Sequence, residues 1–263
     1  MRPSVIVLVI VGLLSGATAA VAQTETPTVL PTGTGEPPPS AEAPPPATER
    51  RTGFRTLFRD LGSDIAHLPS RDSLVVGAIG GGAALALHSA DSTFNQHLEG
   101  TSAFNAGNYL GNTGTIMGAT FGVYGVSLLT GHPRVTHVAL DLVRAQLVSE
   151  LMVQSIKIAG RRDRPDGSSG YSFPSGHTAI TFASAVVLQR HHGIKWALPA
   201  YGLAAYVAMS RLHDNVHYLS DVAFGAAVGT IAGRTITRHG ANNFALMPMA
   251  VPGGAGIFVV RAN

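Results

Sequence analysis

Beyond residue 50, six apolar stretches recur along the chain, at 73–90, 114–130, 135–158, 177–189, 195–210 and 218–235, with turn residues between them. Their residues are small and apolar and do not alternate with period two, so all six read as helices. The third stretch interrupts its apolar pattern with Asp141, Arg144, Gln146, Glu150, Gln154 and Lys157. Lipid tolerates such groups only at high cost, so this helix is expected to be central and surrounded by protein, or the domain to be soluble. Ahead of the six, Phe54, Leu57, Phe58, Leu61 and Ile65 fall at helical spacing, with Arg51, Arg55 and Arg59 on another face. This predicts a helix packed on the domain edge, the alternative being a helix on a membrane surface. At the end, Phe244–Val251 and 255–260 flank Pro252-Gly253-Gly254, the pattern of a β-hairpin. The fold class expected is therefore all-α: a six-helix core bundle with a short C-terminal β-hairpin and a disordered N-terminal tether.

The first 22 residues have the three parts of a secretory leader: Met1-Arg2, an apolar run at 5–14, and small residues ending in Ala20-Val21-Ala22. An uncleaved membrane anchor is the other reading, although about ten strongly apolar residues are short for a span of ~20. Residues 23–50 are rich in Pro, Thr, Gly and Glu, with too little apolar content to offset the entropy of ordering. The domain plan is then a signal peptide at 1–22, a Pro-rich linker at 23–50, a helical domain at 51–240 and the hairpin at 241–263.

Composition narrows the function. The 263 residues are 45% hydrophobic and 13% charged, with no cysteine. A charged share about half of the ordinary ~25% speaks against a disordered or nucleic-acid-coating protein and for a buried helical core or a membrane. Without cysteine there is no disulfide, thiolate metal site or thiol nucleophile. The formal net charge of +3 matters only where the basic residues cluster.

They cluster at helix junctions, in three groups. Lys157, Arg161, Arg162 and Arg164 close the third helix; the arginine fork suits phosphate oxygens, and cations also simply complement a helix C-terminus. Pro174-Ser175-Gly176-His177 opens the fourth. Ser175 is a natural N-cap, Gly176 admits close approach to free N–H groups, and His177 in a first turn suits a proton carrier better than a stabilising cap. Ser210-Arg211 ends the fifth helix, and His217 and Asp221 lie at i and i+4 on the sixth if that helix starts at or before Val216. The carboxylate would then hold one ring nitrogen and leave the other basic, although an isolated His–Asp pair is more often structural. In an up-and-down bundle these junctions share one end, which makes a site for phosphoryl transfer through a covalent intermediate.

The three groups match, in order, the signature K-x6-RP, PSGH and SR-x5-H-x3-D: Lys157 with Arg164-Pro165, then Pro174 to His177, then Ser210-Arg211 with His217 and Asp221. In this the chain closely resembles the type 2 phosphatidic acid phosphatase superfamily, which includes bacterial acid phosphatases, membrane lipid phosphatases and vanadium haloperoxidases. The resemblance implies that His217 attacks phosphorus, Asp221 orients it, and His177 protonates the leaving oxygen and then activates water. It further implies that Lys157, Arg164, Arg211, Ser175 and the Gly176 N–H hold the phosphoryl group. Arg161, Arg162 and His213 are expected only at the rim. The short connection at 166–173 is more like that of lipid-acting relatives and favours an open mouth near a membrane.

The implied activity is a phosphatase for phosphomonoesters or diphosphates, working without cofactor or metal because fixed cations stabilise the charge. Its substrates would be phosphorylated small molecules or lipids such as phosphatidate, phosphatidylglycerophosphate or a polyprenyl diphosphate; membrane contact is expected and nucleic acid is not. The rival readings are a vanadium-dependent haloperoxidase, whose vanadate mimics phosphate, and a non-catalytic envelope protein of the same fold. Topology pulls two ways. Basic residues at the far end place the site outside the membrane under the positive-inside tendency, whereas a cleaved leader followed by three spans places it inside. The apolar cores of the last three helices are also short for spans. The reading preferred is an exported helical domain in the periplasm or cell envelope, against the membrane, with an integral membrane enzyme as the alternative.

Overall fold

The computed structural model describes residues 53–98, 102–238, 244–251 and 254–261; the expected leader and Pro-rich linker lie outside the described residues. All six apolar stretches are helices: α2 (Arg71–Leu87), α5 (Thr113–Thr130), α6 (Pro133–Gly160), α7 (Gly176–His192), α8 (Ile194–His213) and α9 (Leu219–Ile236). The amphipathic segment forms α1 (Phe54–Ala66), and two shorter helices, α3 (Asp91–Leu98) and α4 (Gly107–Leu110), lie between α2 and α5. Beyond α9, strands β1 (Phe244–Val251) and β2 (Gly254–Arg261) pair antiparallel, with Phe244 opposite Arg261.

Local chemistry sets the boundaries. Ser70 and Asn112 cap α2 and α5 by accepting the N–H groups of Ser73 and Thr115, and Pro133 occupies the first turn of α6, where a missing N–H costs nothing. Gly131 ends α5 in the left-handed conformation that glycine adopts without steric cost.

The core is built on α6, α7 and α9. Nearly every position of α9 from Ser220 to Ile236 is buried, and α7 is buried on most sides. Small residues allow this close approach. A Cβ on Gly225 would press on the Ser175 carbonyl oxygen, and one on Gly229 would overlap that of Ala179, so the α7 and α9 backbones nearly touch. This contact fixes the start of α7 against the start of α9, where two of the three motif clusters lie.

Several polar positions of α6 find partners within the protein, as a central helix requires. Arg144 pairs with Asp64 of α1 and Asp141 of its own helix, and Gln146 donates to Thr120 and Ser184. In α1, the apolar stripe is only partly used. Leu57 is buried with Tyr124 and Leu140, and Leu61 packs against the separate cluster of Ala145 and Val148, while Phe54, Phe58 and Ile65 are exposed. The anchor of α1 is instead the buried Asp64–Arg144 pair, 2.6 Å at its closest.

Candidate active site

The C-terminal ends of α6 and α8 and the N-terminal ends of α7 and α9 meet, and the three motif clusters come together there. The connection at 161–175 ties them. The Ser175 N–H donates to the Asp221 carbonyl at 3.0 Å, the Asp166 N–H to the Asn215 carbonyl at 3.1 Å, and the Ser172 N–H to the Arg162 carbonyl at 2.8 Å. Phe173 stacks on Phe224 of α9 with ring centroids 4.9 Å apart. Eight residues between two motifs thus act as a strap that holds the end of α6 to the start of α9.

His217 is 2% exposed, and its Nδ1 lies 3.6 Å from Asp221 Oδ2. The expected route to this pairing is corrected: α9 begins at Leu219, so His217 precedes the helix and shares no helical face with Asp221. The cause is that Asp221 also serves the helix start, accepting the Tyr218 N–H at 2.8 Å and so satisfying a donor at the N-terminus of α9. At 3.6 Å the contact is an ion-pair distance rather than a hydrogen bond, and His217 Nδ1 is buried with no hydrogen-bond partner among the described residues. The segment carrying His217 is fixed from behind. Asn215 sits in the left-handed region, and Asn95 of α3 donates to both its side chain and the His217 carbonyl, at 3.0 and 2.9 Å.

The arginine that pairs with Asp221 is Arg162, expected only at the rim. Its Nη1 donates to Asp221 Oδ1 at 2.6 Å and to Ser220 Oγ at 2.7 Å, its Nη2 donates to Asp91 Oδ2 at 2.7 Å, and the guanidinium lies 4.1 Å over the Tyr218 ring. The Ser172 hydroxyl adds a short hydrogen bond to Asp221 Oδ2. Asp91 completes the brace by accepting both the N–H and the hydroxyl of Ser220. Burial pushes the Asp221 carboxyl up, but the His217 contact, Ser172, the Tyr218 N–H and Arg162 together hold it below its ordinary value. It is a fixed anion.

The remaining cations are placed differently. Lys157 is buried and donates to the Tyr171 carbonyl at 2.7 Å; Arg164 reaches the Ser168 hydroxyl at 3.3 Å, and its Nε is buried without a hydrogen-bond partner among the described residues. Neither forms a carboxylate ion pair among the described residues. Burial, then the Arg164 charge, lowers the pKa of Lys157. Arg211 is buried, paired with Asp214 at 2.8 Å and bonded to Asn108 and Ser210. Ser175 is fully buried at the N-cap of α7, where its oxygen accepts from the Thr178 hydroxyl, and Gly176 opens the helix against Val153. His213 contacts Asp214 at 3.1 Å, and its ring lies 6.2 Å from that of Phe104.

His177 lies in the first turn of α7. Burial, followed by the charges of Arg211, His217, Lys157 and Arg164, lowers its pKa to about 4. His217 is lowered as well, by burial first, with Asp221 opposing. Both rings are thus neutral near pH 7, and the site carries an excess of fixed positive charge. A bound phosphate dianion would offset those cations and raise the pKa of His177. If His177 is the proton donor, the basic limb of kcat/KM, which reports free enzyme, is expected at lower pH than the basic limb of kcat, which reports the complex. Superimposed limbs would count against that assignment.

Sequence reasoning missed Ser172, Asp91, Asn95 and Asn108, and undervalued Arg162. Only Arg162 carried a signal, through its place in the basic run.

Residues 138–245 match the family model of the PAP2 superfamily. Over 85 residues the chain is 40% identical to lipid A 1-phosphatase of Porphyromonas gingivalis, covering 31% of this chain and 19% of that protein. Over 102 residues it is 36% identical to decaprenylphosphoryl-5-phosphoribose phosphatase of Mycobacterium tuberculosis, covering 35% of this chain and 56% of that one. The chain thus spans about a fifth and about half of these two relatives. The crystal structure of Aquifex aeolicus LpxE superposes with a TM-score of 0.43 at 25% identity, covering 51% of this chain and 83% of that one. The matched region contains the whole span from Lys157 to Asp221 with its three motifs intact, and over that span the chain is similar to the PAP2 superfamily.

Proposed function

We propose that the chain is a phosphatase acting on phosphomonoesters or diphosphates carried by lipids, through a phosphohistidine at His217. The observation that carries this reading is the pair of cations without carboxylate ion pairs among the described residues, Lys157 and Arg164, beside a braced His–Asp pair and a second histidine neutral in the free enzyme. A buried positive charge without a counter-ion is costly, and a phosphoryl group supplies the missing anion.

In the first step the Nε2 lone pair of His217 forms the P–N bond as the P–O bond to the leaving group breaks; His177, neutral in the free enzyme and protonated once the bound phosphate raises its pKa, donates that proton to the departing oxygen and becomes neutral again. Asp221 holds the developing imidazolium. Lys157, Arg164 and Arg211, with Ser175 and the Gly176 N–H, neutralise the equatorial oxygens. Neutral His177 then takes a proton from water, which attacks phosphorus; the P–N bond breaks, phosphate leaves and His217 is restored. Fixed cations fill the role that a divalent ion plays in other phosphoryl-transfer sites, which supports a metal-independent reaction.

Two features support a lipid substrate. The relatives above are named for lipid A and decaprenylphosphoryl compounds. The outside of the bundle is also apolar: Leu74 and Leu85 on α2, Val126 and Leu129 on α5, and Trp196 on α8 are more than half exposed. Among the described residues, one helical run, Arg71–Leu98, is long and apolar enough to cross a membrane. These features fit a membrane-associated enzyme of the cell envelope.

A substrate panel in EDTA tests substrate class and metal independence together. Lipid phosphates in mixed micelles are expected to be hydrolysed with kcat/KM at least tenfold above water-soluble phosphate esters. Activity restored only by added divalent metal, or a preference for the soluble esters, would overturn the corresponding half of the proposal. Halide oxidation with added vanadate and peroxide, in place of hydrolysis, would transfer the assignment to a haloperoxidase.

A further inference from the structure

About 20 Å from the candidate active site along α7, at the opposite end of the helix from His177, three metal-binding side chains converge. His137 and Asp141 lie at i and i+4 on α6, hence on one face, and His191 lies in the last turn of α7. One ligand atom from each lies within 4.8 Å of those of the other two. The two imidazole Nε2 atoms approach the same carboxylate oxygen, Asp141 Oδ2, at 2.9 Å from His191 and 3.7 Å from His137, with the rings edge to face at a centroid distance of 5.0 Å. We propose that His137, Asp141 and His191 form a site for a transition-metal dication of the zinc class, a structural clamp separate from the phosphate chemistry.

The spacing suits the ion. Bonds of ~2.0–2.1 Å in a tetrahedron put neighbouring ligand atoms about 3.3 Å apart, between the two measured distances. Two imidazoles and a carboxylate, leaving a fourth position for water, also match the ligand chemistry that zinc accepts.

The surroundings are arranged for it as well. Asp141 spends its other oxygen, Oδ1, on Arg144 Nη1 at 3.1 Å, an outer partner that orients a ligating carboxylate and leaves Oδ2 for the ion. Arg144 does not leave the site positively charged, because Asp64 accepts two hydrogen bonds from it, at 2.8 and 2.7 Å. With neutral imidazoles the group of Asp141, Arg144 and Asp64 therefore has a net charge of −1. The C-terminal end of α7 contributes further negative potential at His191. Asp141 is buried and the two histidine side chains are 30% and 17% exposed, so an ion has a route of entry. Bound there, it would join the first third of α6 to the end of α7, and through Arg144 to α1.

The test uses the full chain in detergent with a histidine-free affinity tag, stripped with EDTA and titrated with Co²⁺ alone. One Co²⁺ per chain is expected, with the visible absorption bands of a tetrahedral N/O site, displaced by Zn²⁺, and a melting temperature that rises with Zn²⁺. His191→Gln and His137→Gln should each weaken Co²⁺ binding at least tenfold and abolish the Zn²⁺-dependent rise, while phosphatase activity in EDTA stays at the wild-type level. His137→Gln, at the more exposed position, serves if the His191 variant does not fold. A wild-type chain that gives no Co²⁺ bands, or bands that persist unchanged in a folded histidine variant, overturns the proposal.

Discussion

Replacing His217 by alanine is expected to reduce kcat by at least about 10³-fold while the chain stays folded. The size follows from the nucleophilic role proposed for it: without the imidazole no P–N bond would form, and water would have to attack phosphorus directly among groups placed for a nucleophile on the protein. The fold should survive because His217 precedes α9 rather than lying in its packed face, and because Asn95 holds this segment through the His217 carbonyl, which alanine keeps. The checks are single-turnover kinetics and the melting temperature of the variant. A loss of activity in step with a loss of structure would make His217 a packing residue instead.

The second large effect is expected at Arg162. Arg162→Ala removes the partner of two buried carboxylates at once, Asp221 and Asp91, each less than a tenth exposed. Breaking a buried ion pair by deleting one partner costs about 3–5 kcal/mol, because the other charge stays buried and unpaired. A fall of that order in unfolding free energy is expected, with a fall in kcat as Asp221 loses its position. Arg162→Lys keeps the charge but not the fork that reaches Asp221, Ser220 and Asp91 together, so it should recover part of the stability and less of the activity. Chemical denaturation and kcat, measured side by side for both variants, check this. An Arg162→Ala chain as stable and active as wild type would return Arg162 to the rim.

The main helices were legible because their signal is carried by apolar runs that sequence displays directly, and every stretch from 73–90 to 218–235 became a helix. Convergence of the motifs was legible from chain order alone, since consecutive short-looped helices bring the ends of α6 and α8 to the starts of α7 and α9. What stayed hidden depends on contacts between distant segments. Asp91 and Asn95 lie on α3, a polar helix of eight residues with no apolar stripe to announce it, and both act on partners more than a hundred residues away. The stretch at 218–235 located α9 to within a residue, but periodicity does not show that Asp221 would cap the helix it belongs to and leave His217 outside it. Arg162 looked like one of several rim cations, since only the fold decides which arginine in 161–164 turns inward to Asp221 and which reaches toward the strap. The exposed Phe54 and Phe58 on α1 show the same limit: helical spacing identified the stripe, but not how much of it the bundle covers.

The most direct test of the account is capture of the covalent intermediate. The chain is mixed with a ³²P-labelled phosphate ester in a rapid-quench device, stopped in alkali and digested for peptide mapping. Phosphohistidine survives alkali and is lost in acid, so the account predicts alkali-stable, acid-labile label on the peptide containing His217, and none in His217→Ala. Label on a different residue, or full turnover with no protein-bound phosphate at any quench time in wild type, would contradict it.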